Sequence, residues 1–315
     1  SQINAAFWKI TALNAAKEEV FRNLLEILNQ NNIEPICFKG SVLSETIYGN
    51  NSMRQYDDID LMVSEQELEK SLSILAKNGY EHINKYTKKE LAFQIESGWD
   101  FSMRDKRSGF IAEISSSLLP HQYAVKIDFS LLSQYSEQKN IEHLRFRILP
   151  PTVLLPCLCL HGWKHLWERI GWVADIMSLM NFSKNINWAE SKEFANKNGI
   201  IGMLESGIAV VKELWPHASE KIISPELLPS DNSLYFAKKC ISLFPQDETK
   251  DRLERSLFRT LRLQLMGHRS IFSKLRIFFL MLFYPTISDY RFLPLPRCLF
   301  IFYPFIRMIR LSINR

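Results

Sequence analysis

The stretch Phe38–Val63, FKGSVLSETIYGNNSMRQYDDIDLMV, concentrates the residues able to do chemistry. Asp58 and Asp60 lie two apart, and the Leu61-Met62-Val63 that follows them is strand-forming. Side chains alternate across a strand, so the two carboxylates share one face while Ile59 and Leu61 point into a core. Carboxylates held side by side repel each other. The pairing makes sense with a divalent cation between them, and hard cations such as Mg²⁺ or Mn²⁺ take carboxylate oxygens together with substrate phosphate. Upstream, Lys39, Gly40 and Ser41 form a strand-to-helix turn. Free backbone amides and partial positive charge at a helix start favour phosphate, and Gly40 lets the backbone approach a ligand. Arg54 suits either a triphosphate or the neutralisation of the aspartate pair. Asp57 points to the other face.

Gly40-Ser41 followed by Asp58-Ile-Asp60 resembles the nucleotidyltransferase (polymerase β-like) superfamily. Phe38-Lys39-Gly40, Tyr48, Arg54 and Asp58-Ile-Asp-Leu-Met-Val63 are similar, more narrowly, to uncharacterised bacterial nucleotidyltransferases of the NTP_transf_5 type. The resemblance spans roughly residues 33 to 310. It implies that the Gly-Ser turn holds an NTP triphosphate and that Asp58 and Asp60 hold Mg²⁺. It also implies a third carboxylate on a neighbouring strand, which completes the metal site and serves as general base. Glu113, in Gly109-Phe-Ile-Ala-Glu-Ile-Ser, is the first candidate, and Asp128 the alternative. Where the family shows a His and an aromatic after that acidic strand position, this chain has Ser115 and Ser116.

A second cluster follows. His161, His165, Glu168, Trp172 and Asp175 recur at i, i+4, i+7, i+11 and i+14, which makes one stripe on a helix spanning 152–182, with Lys164 beside it. The opposite side carries Leu158, Trp163, Leu166, Ile170 and Val173. The His…Lys-His…Trp…Asp pattern is also similar to the family's. Three readings stand: two histidines holding zinc, a buried polar network bracing two domains, or a cleft wall in which Lys164 meets phosphate.

These residues need a scaffold. Helical periodicity predicts helices over 4–30, 41–48 and 65–78, the last opened by Ser64 with Glu67 three residues on. Strands are expected at 34–38, 59–63, 81–86, 92–96 and 110–115, with a turn at 105–109. Residues 127–132 read as strand or short helix, and 145–149 as extended. Pro150-Pro151 marks a boundary, after which helices are expected at 152–182, 187–198, 200–215, 231–243 and 249–266. The expected fold is therefore α+β: a mixed sheet flanked by helices over 1–150, then a mainly helical domain over 151–315. The length of 315 residues also suggests two domains.

Charge divides along the chain. Residues 251–315 hold 12 Lys and Arg against 3 Asp and Glu, a local +9, so the other 250 residues hold 27 basic and 31 acidic side chains, net −4. That acidic bulk argues against a long nucleic acid acceptor, which needs a basic groove. A sugar, other small molecule, or peptide or protein acceptor is favoured for NMP transfer with pyrophosphate release. Phosphoryl transfer from the same site, or a non-catalytic nucleotide-binding protein, are the competing readings. Five cysteines without a C-x-x-C, and no basic-then-apolar start, predict a cytoplasmic setting. The tail 271–315 alternates apolar-aromatic runs with arginines and prolines, and no uninterrupted apolar run reaches about 18 residues. It either packs on the helical domain, its arginines snorkelling to water, or meets a membrane surface or acidic partner.

Overall fold

The structure, a computed structural model, describes residues 2–182, 186–244 and 257–313. It opens with α1 (Gln2–Asn29) and α2 (Gly40–Tyr48), then β1 (Asp58–Met62), α3 (Glu65–Lys77), β2 (Tyr80–His82), α4 (Lys88–Glu96), β3 (Phe101–Asp105) and β4 (Ile111–Ser115). A short α5 (Phe129–Ser133) and the hairpin β5 (Glu137–Ile141)–β6 (Leu144–Ile148) follow. The sheet order is β1-β4-β3-β2, with β1 and β4 parallel and the other neighbours antiparallel. The extended segment before the Lys39 turn stitches the hairpin to this sheet. Ile36 exchanges backbone hydrogen bonds with Met62 (2.8 and 3.0 Å), Cys37 donates to Arg147 O and Arg147 to Pro35 O. The mixed α+β architecture expected from the sequence is therefore observed.

One element has the opposite conformation to that expected. Residues 92–96 lie in α4, because Thr87 and Glu90 close a capping box at its start. The alternation of Leu91, Phe93 and Ile95 mimics a strand, but the cap two turns earlier decides. Residues 101–105 form β3 instead, at the centre of the sheet.

The sheet separates two apolar layers. Ile59, Leu61, Phe101, Met103, Ala112 and Ile114 face α1 and α3, packing on Phe21, Leu24, Leu28, Leu68 and Leu72. Met62, one residue on from Leu61, faces the other way into a core shared with Phe38, Leu43, Ile47 and the helices beyond residue 150. Those helices are α6 (Pro151–Lys164), α7 (Ile170–Phe182), α8 (Trp188–Lys197), α9 (Ile201–Leu214), α10 (Pro216–Ser219) and α11 (Asp231–Ile241). Pro151 starts α6 at the position where a missing N–H costs nothing. The boundary at 150 is thus a change of secondary structure across which one core runs continuously.

The helix expected over 152–182 is two helices. α6 ends in a Schellman motif: Trp167 N–H donates to Gly162 O (2.8 Å) and Leu166 N–H to Trp163 O (3.1 Å), with Leu166 at φ 52°. A left-handed leucine is costly by about 1–2 kcal/mol. Burial of the Trp167 indole against Gly162 and Gly207 offsets it; a Cβ on Gly162 would sit 2.4 Å from that ring. Past the break Ile170 is exposed.

α12 (Leu257–Met266), α13 (Ile271–Phe283), α14 (Ile287–Phe292) and α15 (Tyr303–Ile313) complete the described chain. The helix expected from 249 is described only from 257; its earlier residues lie outside the described part. The tail folds around Asp289, which is fully buried and pairs with Arg307 (2.8 Å) and Arg310 (3.0 Å). It docks on α4 through Arg291–Glu90 and Arg297–Glu96 pairs (both 2.8 Å) and a stacked Phe93–Tyr290 contact at 4.2 Å. Arg307 and Arg310 therefore turn inward, where the sequence suggested arginines snorkelling to water.

Candidate active site

Asp58 and Asp60 project from the face of β1 opposite the α1 layer, and the parallel register places Glu113 of β4 beside Asp60. All three line a cleft of about 400 Å³ between the sheet and α6–α7. Lys39 caps the start of α2 and reaches over Asp60, Nζ to Oδ1 2.8 Å. The loop that delivers the aspartates is held from behind, as Asn14 of α1 donates to Asn51 O and Arg54 O.

The carboxylates are crowded. Burial, then the charges of Asp60, Asp58 and Asp100, push the Glu113 carboxyl up to about 8, against the pull of Lys39. Asp58 is raised by burial and by Asp60. Burial works against the Lys39 charge, but Asp60, Asp58 and Glu113 together outweigh it and the ammonium is held above its ordinary range. This face is a concentration of negative charge into which the Lys39 ammonium reaches.

Across the cleft stand His161, Lys164, His165, Glu168, Trp172 and Asp175. The sequence placed them on one helical stripe. The structure brings them to one wall by breaking the helix and folding α7 back. The His161 and His165 rings lie 4.8 Å apart, with Trp172 at 4.8 and 5.3 Å. Burial drives His161 well below the usual histidine range, and burial with Lys164 drives His165 down to about 3. Both are neutral at pH 7. Among the described residues no group of three or more His, Cys, Asp or Glu is gathered closely enough to cage a metal ion, neither at the histidine pair nor at Asp58, Asp60 and Glu113.

Arg54 is directed away from the aspartates. Its Nε bonds both oxygens of Asp175 (2.9 and 3.1 Å), Tyr48 reaches the same carboxylate at 3.4 Å, and Arg54 Nη1 is buried without a hydrogen-bond partner. This pair ties the β1 loop to α7. A second tie, Arg169 to Asp57 at 2.7 Å, lies nearer solvent. Gly40 and Ser41 are not on the cleft lining. Gly40 takes φ +58°, a left-handed backbone that favours glycine, while a Cβ there would meet the Tyr56 ring at an ordinary 3.7 Å, and Ser41 is buried. Asp128 also lies off the cleft: it caps α5 by accepting from Leu131 N (2.9 Å) and pairs with Lys126. Asp100, absent from the sequence reading, lines the cleft immediately before β3. Its signal was obscured because β3 itself was not recognised.

Residues 1–216 match the family described as uncharacterised nucleotidyltransferase. The chain belongs to this family. The match covers the sheet, the cleft and the helices through α9, and leaves out the tail. Among solved structures, that of the antibiotic-resistance factor ANT(2'')-Ia in solution is similar to this nucleotidyltransferase at 10% identity and a TM-score of 0.41, covering 58% of this chain and 91% of that one. No curated protein sequence matches it.

Proposed function

We propose that the protein transfers an NMP group from an NTP to a hydroxyl or phosphate acceptor, releasing pyrophosphate, with Asp58, Asp60 and Glu113 as ligands for Mg²⁺ or Mn²⁺. The observation that carries this reading is the register of β1 and β4, which sets the three carboxylates on one sheet face at a cleft. The donor set fits a hard divalent ion by its chemistry, oxygen ligands only and crowded enough to raise the proton affinity of Asp58 and Glu113, although as they stand the three carboxylates do not close into a metal cage. Such an ion, when bound, supplies charge neutralisation for the triphosphate and the phosphate in transfer.

The chain's own residues account for the rest. Lys39, freed from Asp60, meets the triphosphate, and Lys164 faces it from α6. The amides at the start of α2 lie behind Lys39, with Gly40 shaping the turn. The acceptor oxygen bonds to the α-phosphorus as the α–β phosphoanhydride bond breaks, and pyrophosphate leaves. Glu113 takes the acceptor proton. Neutral His161, neutral His165 and Trp172 give the opposite wall an amphipathic surface suited to a sugar, base or other ring. The net −4 of residues 1–250 favours a sugar, other small molecule or peptide acceptor over a long nucleic acid.

The test is pyrophosphate release by the full chain with each NTP, Mg²⁺ or Mn²⁺, and a panel of sugar, peptide and RNA acceptors, with intact mass to detect self-modification. Acceptor-dependent release that disappears in Asp60→Ala is the expected result. Metal-independent nucleotide binding unchanged in Asp58→Ala and Asp60→Ala would overturn it, and orthophosphate-linked products would mark phosphoryl transfer instead.

A further inference from the structure

We propose that the outward face of α13 and α15 docks on the surface of an anionic lipid bilayer. On α13, Ile271, Leu275, Phe278, Phe279 and Leu282 recur at i, i+4, i+7, i+8 and i+11, and all are exposed; Ile271 is 62% and Phe279 52% accessible. This is a helical stripe of the kind that ordinarily faces a core, here facing outward. α15 repeats the inversion. Phe305, Met308, Ile309 and Ile313 are exposed at i, i+3, i+4 and i+8, while Arg307 and Arg310 point inward to Asp289. A helix in water alone would place these groups the other way round. The two helices pack together, and Arg307 donates to the Met281 and Tyr284 carbonyls, so both stripes belong to one tied unit.

The charges identify the occupant. Lys274 and Arg276 lie on opposite flanks of the α13 stripe, about 90–110° from its centre at 3.6 residues per turn, and neither makes an ion pair among the described residues. Residues 251–315 as a whole carry +9. A second copy seated on this face would bring its own basic segment against this one, a like-charge contact that opposes a two-fold interface. An anionic bilayer surface supplies an apolar layer and negative headgroups together.

The geometry also favours lying on the bilayer over crossing it. Ile271–Phe292 has the length and composition of a membrane span. It is nevertheless two helices: α13 stops at Phe283, Tyr284 is extended, Pro285 follows, and Asp289 is locked to two arginines. Thirteen helical residues reach about 20 Å, short of the roughly 30 Å hydrocarbon core.

The full chain should float with phosphatidylcholine vesicles containing 30 mol% phosphatidylglycerol and far less with phosphatidylcholine alone. Lys274→Gln/Arg276→Gln should lower the partition about 30-fold, each cation near the surface contributing about fivefold. Phe278→Glu/Phe279→Glu should abolish flotation with an unchanged far-ultraviolet spectrum. A Phe279→Trp variant covers the case in which that double substitution fails to fold: its emission should blue-shift on vesicle addition and be quenched by brominated lipid. No flotation at low salt, or a Phe279→Trp signal indifferent to vesicles, would overturn the proposal. A vesicle-free dimer that Phe278→Glu/Phe279→Glu converts to monomer would overturn it in favour of self-association.

Discussion

Glu113→Gln should stabilise the ligand-free protein at neutral and alkaline pH. Burial, Asp60 and Asp58 raise the folded-state carboxyl from 4.5 to about 8. Between those limits the folded chain keeps a proton that the unfolded chain has released. The contribution of Glu113 to stability is therefore complete below about pH 4.5, falls by about 1.4 kcal/mol per pH unit as pH rises, and is lost above about pH 8. By pH 7 the accumulated loss is on the order of 3 kcal/mol, an upper bound because the cleft relaxes and admits water. Glutamine has nearly the shape of the protonated acid and no charge to develop, so the variant should lack this slope. Asp58 is shifted the same way by burial and Asp60, a contribution present in both proteins.

Urea unfolding of both proteins from pH 5 to 8.5, without divalent ions, reads the effect directly. The difference should be under about 1 kcal/mol at pH 5 and grow to about 4 kcal/mol at most in favour of the variant by pH 8. Adding Mg²⁺ should then favour the wild type selectively, by about 2.7 kcal/mol at a hundredfold excess over Kd. The histidine contributions act on both proteins and cancel in the difference. A difference that stays constant with pH, or moves toward the wild type as pH rises, would refute the picture of three carboxylates crowded on one sheet face.

Three further predictions concern the opposite wall. Arg54→Met should destabilise by about 3–5 kcal/mol in urea unfolding, because it leaves Asp175 buried and unpaired; adding Asp175→Leu should recover more than half of that. Gly162→Ala places a methyl 2.4 Å from the Trp167 ring and should cost about 1–3 kcal/mol, with a shift in tryptophan emission reporting the displaced indole. His165 is depressed to about 3 by burial and Lys164, so its contribution is complete above about pH 6.5 and is lost as pH falls toward 3; by pH 5 this amounts to about 2 kcal/mol. His165→Gln should accordingly flatten the acid limb of a melting-temperature profile, and an unchanged limb would show that the ring is hydrated.

What the sequence could reveal of this site depended on how local the cause was. That Asp58 and Asp60 share a face follows from strand alternation, a two-residue rule; Glu113 is reached only through the family resemblance, with Asp128 as the alternative, and the parallel pairing of β1 with β4 that sets it beside Asp60 is a tertiary contact no local rule announces. Asp100 depended on β3, whose Phe101-Ser-Met-Arg-Asp105 is short and lies at the sheet's centre, between β4 and β2. The α6–α7 wall is the more instructive case. A continuous helix would have set His161, His165, Trp172 and Asp175 in a line about 21 Å long at 1.5 Å per residue, too spread to enclose a substrate. The break at Leu166 turns that line into a wall facing the sheet. Neither Leu nor Trp announces a left-handed turn, and the Schellman bonds that stop α6 can form in many sequences. The decision is tertiary: Gly162 and Gly207 leave a slot that only a folded-back indole fills. Two glycines and a tryptophan outside the polar stripe thus close the cleft, while Arg54 and Asp175, both picked out for chemistry, hold its two sides together.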